Sequence, residues 1–127
     1  MKFPRILIVE DDAALRELYK TVFEFESFEV LFAGDGEEAV ERVKVELPDF
    51  ILLDIMLPKK SGIEVLREIK EDAKTAKIPV ITLTALSDKE TKIEAEEFGV
   101  VSHHVKALTK ISDIVVLVKE NLKMVSA

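Results

Sequence analysis

The chain contains no cysteine, which excludes disulfides, thiolate zinc sites and cysteine nucleophiles and suits the cytoplasm. Glycine and proline number four each and are scattered, so no linker, low-complexity tract or repeat is expected. Long apolar runs are missing too. The unbroken run Ile114–Val118 falls far short of the ~20 residues that a spanning helix needs. The N-terminal stretch Ile6–Val9 stops at Glu10-Asp11-Asp12, too early for a signal peptide. An excess of basic residues is also lacking: the net charge is −7, so an acidic surface would repel a nucleic-acid backbone.

What is present suffices for one compact domain over residues 1–127. Hydrophobic residues make up 48% and charged residues 34% of 127, enough for a substantial core. Arg5–Val9 is apolar and β-branched, the pattern of a strand buried on both faces. Leu15, Leu18, Tyr19, Val22 and Phe25 then recur at helical spacing, with Asp12 as the expected N-cap. Phe28–Ala33 predicts a second strand, and Asp35 caps a helix that runs to Glu46 and ends at Pro48. Phe50–Leu53 leads to Asp54; Pro58 and Gly62 frame a loop; Ile63, Leu66 and Ile69 continue a helix to about Ala73. Val80–Leu83 ends at Thr84, and Asp88 caps a helix to Phe98 that Gly99 stops. Val100–Val105 is a weaker fifth strand before Lys106, and a last helix from Ile111 to about Leu122 aligns Ile111, Ile114, Val115, Val118 and Leu122. The alternation predicts an α/β fold of doubly wound (βα)5 type: a five-stranded parallel sheet flanked by helices on both faces, with flavodoxin-like topology.

The strand ends carry the chemistry. In a parallel sheet all carboxyl ends share one edge, where such folds bind ligands. Glu10-Asp11-Asp12, Asp54, Thr84 and Lys106 all stand at those ends. Converging carboxylates either raise a pKa or recruit a cation. An oxygen-only site with few protein ligands suits Mg²⁺, with Mn²⁺ the alternative ion.

On Val9-Glu10-Asp11-Asp12, Leu53-Asp54-Ile55-Met56-Leu57-Pro58 with Gly62, Thr84-Ala85 and Lys106, the chain resembles the receiver domains of two-component response regulators over essentially its full length. It is most like the single-receiver, chemotaxis-regulator kind. The resemblance implies that Asp54 is the phosphoacceptor, a carboxylate nucleophile attacking phosphorus in line. It implies Asp11 as direct metal ligand, Glu10 acting through a metal-bound water, and the backbone carbonyl of Met56 completing the protein's share. Thr84 and Lys106 would each meet a phosphoryl oxygen, so modification would bias a conformational equilibrium. A histidine kinase or histidine phosphotransfer protein would be the donor. The downstream protein target would dock through the last helix and the fifth-strand region, where Val116 or Leu117 faces outward. Nucleic acid and membrane are not expected as direct partners, and the state would be monomeric or a phosphorylation-dependent dimer.

Two positions depart from the family pattern. Ala107 follows Lys106 where relatives commonly have a proline, often cis; a cis bond to alanine costs roughly 2.5–4 kcal/mol, so a trans or locally strained peptide is expected. His103 stands where many relatives have an aromatic switch residue, and it is expected to act with Thr84 as a smaller, titratable switch. His103 and His104 alternate along the strand, which argues against a two-histidine metal clamp. Glu90, Glu94, Glu96 and Glu97 read as a solvated acidic face. Met56 and Leu86 are apolar, implying a long-lived phosphoaspartate.

The chain is expected to catalyse only its own modification and not to be an enzyme with a separate substrate. A Mg²⁺-dependent phosphohydrolase would need an acid near the nucleophile, and two residues after Asp54 stands Met56. A nucleotide or flavin binder would want a glycine-rich phosphate loop. An inactive, receiver-like scaffold remains the alternative. No output domain is expected, since only Lys123–Ala127 follow Leu122.

Overall fold

The computed structural model describes residues 3–124. Five strands alternate with five helices: β1 (Arg5–Val9), α1 (Ala13–Phe25), β2 (Glu29–Ala33), α2 (Gly36–Glu46), β3 (Phe50–Asp54), α3 (Gly62–Glu71), β4 (Val80–Thr84), α4 (Lys89–Glu97), β5 (Ser102–Val105) and α5 (Ile111–Asn121). A single 3-10 turn, Lys106–Leu108, lies between β5 and α5. All strand pairs are parallel, in the order β2-β1-β3-β4-β5. The expected doubly wound fold is what forms.

The central strands β3 and β4 are buried at every position, which is why they read as continuous apolar runs. Alternate residues feed two cores. Leu7, Val9, Ile51, Leu53 and Val80 pack with Val40, Val43, Val65, Leu66 and Ile69 from α2 and α3. Ile6, Ile8, Phe50, Leu52, Ile81 and Leu83 pack with Tyr19, Phe23, Ile114, Val115 and Val118 from α1 and α5. Phe23 meets Phe28 edge to face at 5.2 Å, closing the turn between α1 and β2.

The helices begin where side chains satisfy free N–H groups. Asp12 accepts from the amides of Ala14 and Leu15, Asp35 from Glu38, and Asp88 from Glu90. A cap at Ser61, which accepts from Glu64, begins α3 before the hydrophobic pattern does. Along α1 the expected inward set is only partly right. Leu18 and Phe25 are 48% and 86% exposed, whereas Phe23 is fully buried. The helix turns its Tyr19–Phe23 edge, a four-residue step, toward the sheet. Strand β5 is shorter than expected: Gly99 adopts φ 78°, and Val101 is 38% exposed ahead of the first ladder residue, Ser102. The face predicted for α5 is confirmed, with Ile111 and Leu122 packed beside its buried residues. Val125, Ser126 and Ala127 lie outside the described residues.

Candidate functional site

The strand ends do bring the predicted acids together. Carboxylate oxygens of Glu10, Asp11 and Asp54 lie within 4.8 Å of one another. Glu10 follows β1 and extends its ladder by one bond, the Glu10 amide donating to the Ala33 carbonyl at 3.0 Å. That fixes its side chain inward, 3% exposed. Asp11 is exposed to solvent while its carboxylate stays within the cluster. Asp54 is the last residue of β3; its Oδ1 accepts the Met56 amide at 3.1 Å. The neighbouring Ile55 amide bonds to Leu83 of β4 at 2.8 Å, so Asp54 is set rigidly against the sheet.

Lys106 closes the pocket from the far strand. Its Nζ donates to Glu10 Oε1 at 2.7 Å and to Asp54 Oδ2 at 2.9 Å. Lys106 starts the 3-10 turn, and no described peptide bond is cis, so the Lys106–Ala107 bond is trans and the ammonium still reaches its target. Electrostatics follow from this crowding. Burial, reinforced by the nearby Asp54 charge, pushes the Glu10 carboxyl up to about 7, even though Lys106 pulls it down. Burial lowers the Lys106 pKa, but its hydrogen bonds to Glu10 and Asp54 outweigh this and the net shift is upward. Lys106 already pairs with two of the three carboxylates, so the acidic cluster accommodates positive charge. Hard oxygen donors at this spacing suit a small divalent ion.

Thr84, at the end of β4, is buried, and its Oγ1 accepts the Leu86 amide at 3.2 Å. Met56 and Leu86 flank the pocket half-exposed. His103 pairs in register with Thr82 and His104 with Leu83, so the two rings face opposite sides of the sheet as expected. His103 Nδ1 hydrogen-bonds the fully buried Thr82 Oγ1 at 2.7 Å, and His104 Nε2 bonds Ser102 Oγ at 2.7 Å. Burial lowers the pKa of both histidines. Glu90, Glu94, Glu96 and Glu97 are exposed along α4. On α5, Val116 is 51% exposed while Leu117 packs against the core.

Two neighbours of the site escaped the sequence reading. Thr82 is invisible as a partner of His103 until the β4–β5 register is known. Tyr19 is the other: burial raises its phenol to about 12, and it feels the charges of Lys106, Glu10 and Asp54. Its helical spacing marked it as core, and nothing in the pattern marked it as within electrostatic reach of the acids.

The parallel sheet gathers three acids and a lysine at its carboxyl edge, and comparison makes the class of domain specific. Residues 6–119 match the family described as the response regulator receiver domain, and the chain belongs to that family. It is similar to the probable transcriptional regulator ycf27 of Guillardia theta, 39% identical over 102 residues that span 80% of this chain and 39% of that protein. It is also similar to the phosphate regulon transcriptional regulatory protein PhoB of Escherichia coli, 35% identical over 122 residues, 96% of this chain and 53% of PhoB. The chain thus spans about half the length, or less, of these curated relatives. Among solved structures, a CheY-like receiver domain protein from Methanospirillum hungatei superposes with a TM-score of 0.87 at 28% identity, covering 96% of this chain and 95% of that one. The receiver domain of Francisella response regulator 1452 gives 0.81 at 29% identity, covering 94% of each chain.

Proposed function

We propose that this receiver domain accepts a phosphoryl group on Asp54 from a histidine kinase or histidine phosphotransfer protein, with Mg²⁺ bound beside it. The observation that carries the reading is the convergence of Glu10, Asp11 and Asp54 within 4.8 Å, with Lys106 bonded to two of them. Asp54 is the nucleophile because one of its oxygens is oriented by the Met56 amide and the other by Lys106, leaving the carboxylate fixed for in-line attack. Asp11, exposed at the pocket mouth, is the direct metal ligand, Glu10 acts through a metal-bound water, and the Met56 backbone carbonyl completes the protein's set. Mg²⁺ neutralises charge on the transferring group; Mn²⁺ offers similar chemistry.

Lys106 shifts from pairing with two carboxylates toward the new phosphoryl oxygens, and the Thr84 hydroxyl, whose oxygen accepts the Leu86 amide, donates its O–H to the same group. Strand β4 transmits this change to His103 on β5. The chain turns over no separate metabolite, so it acts as a switch read by a downstream protein. The β5–α5 region, with Val116 on its outer face, is where that protein docks. No described helix is long and apolar enough to cross a membrane. The reading puts the domain in the cytoplasm with its phosphodonor. Phosphate-affinity electrophoresis after acetyl phosphate and Mg²⁺ tests it: a retarded band for wild type, absent for Asp54→Asn, supports the assignment. A scaffold without phosphoacceptor activity would show no retarded band in either protein.

A further inference from the structure

The loop that leaves Asp54 is closed on itself and then pinned from outside. The Gly62 amide returns to the Ile55 carbonyl at 2.8 Å, and a Cβ at Gly62 would stand 2.4 Å from the Asp54 carbonyl oxygen. The other end rests on α2. The Gly36 amide donates to the Pro58 carbonyl at 3.3 Å, an oxygen that also accepts the Lys60 amide at 2.7 Å. A Cβ at Gly36 would lie 2.0 Å from the Lys60 carbonyl oxygen and 2.7 Å from its carbon, contacts with backbone that no rotamer change relieves. Between these anchors Lys59 takes a left-handed φ of 68°, and its ammonium lies 3.7 Å from Asp35, the cap of α2. Met56 lies near the start of this loop, between the Ile55–Gly62 closure and the Pro58 carbonyl that Gly36 holds.

We propose that Gly36 is a positioning residue for the divalent ion. The first residue of α2 sets how closely the 55–61 loop approaches the sheet edge, and so where the Met56 carbonyl stands relative to Asp11 and Asp54. The inference rests on the metal reading above and extends it to an element that contributes no ligand. Outer-shell contacts of this kind change metal affinity about 10- to 100-fold in other sites. Gly34 supplies the control. It lies two residues away, but a Cβ there would meet only the flexible end of Arg16, at 2.9 Å, and the Glu38 carboxylate.

The test is a Mg²⁺ titration of the ¹⁵N-labelled full chain followed by amide shifts, on wild type, Gly36→Ala and Gly34→Ala. Gly36→Ala is expected to stay folded and to bind Mg²⁺ about tenfold or more weakly, with altered shifts from Ile55 to Gly62; Gly34→Ala should bind as wild type does. A folded Gly36→Ala with wild-type affinity would overturn the proposal. Should Gly36→Ala not fold, wild type alone decides. The Gly36 amide must shift in step with Met56 as Mg²⁺ is added, and a Gly36 resonance that stays still while Met56 saturates overturns the inference. A wild-type spectrum indifferent to Mg²⁺ would bring down the metal reading itself, an outcome distinct from the other two.

Discussion

Lys106 Nζ stands 2.9 Å from Asp54 Oδ2 even though alanine follows the lysine. The same ammonium bonds Glu10, so one part-buried cation serves two buried acids. Removing it leaves Glu10 Oε1 and Asp54 Oδ2 without their donor and the two buried acids without a counter-charge. Lys106→Ala is therefore expected to lower metal-free stability by about 1–3 kcal/mol. Mg²⁺ should restore more stability to the variant than it adds to wild type. Urea denaturation with and without Mg²⁺ checks this, and a variant as stable as wild type without metal would count against the pairing.

Glu10 gives the site a pH dependence with a definite sign. Its folded-state pKa of about 7 lies above the ordinary 4.5. The folded protein therefore holds a proton that the unfolded chain has released, and stability falls as pH rises through that window and levels off above it. The loss is on the order of 3 kcal/mol at most. Glu10→Gln lacks this titration. The difference in unfolding free energy between wild type and Glu10→Gln, measured in chelator, should decline from pH 4.5 to 7; a flat difference would refute the shift.

The bond between Thr82 and His103 makes the His103 side chain costly to move. Thr82 is fully buried, and an unpartnered buried hydroxyl costs about 1–3 kcal/mol. His103→Ala should destabilise by about that amount, and adding Thr82→Val should recover most of it, giving a coupling energy in a double-mutant cycle. Because burial lowers the His103 pKa, its contribution is present above the ordinary 6.5 and is lost as pH falls below it. If His103 is the moving side chain, His103→Ala must also abolish phosphorylation-dependent partner binding; unchanged binding would remove it from the switch.

Met56 and Leu86 border the pocket with apolar side chains, 50% and 56% exposed. Neither can orient an attacking water. The phosphoaspartate is expected to last many minutes, and Met56→Asn to shorten that lifetime. Loss of the phosphorylated band within seconds in wild type would contradict the reading.

The fold was legible because its signals are local. Continuous apolar runs announced β1, β3 and β4, and Asp12, Asp35 and Asp88 announced helix starts through their own capping bonds. The acids were legible because a parallel sheet sends all strand ends to one edge. What stayed hidden depends on relations between elements. Whether Phe25 or Phe23 faces the sheet is set by how α1 rolls on its neighbours, since both fit a helical period. Thr82 acquires its partner from strand register, and Tyr19 its electrostatic neighbours from the packing of α1 on the sheet. The late start of β5 follows from Gly99 and the exposed Val101, which a run of valines and histidines conceals.

The most direct measurement locates the phosphoryl group. After reaction with acetyl phosphate and Mg²⁺, borohydride reduction converts an acyl phosphate to homoserine, which peptide mass spectrometry assigns to a residue. Homoserine at position 54 alone, formed with Mg²⁺ and not in chelator, is the result this account predicts. Homoserine at Asp11 or elsewhere, or its formation at position 54 without a divalent ion, would contradict it.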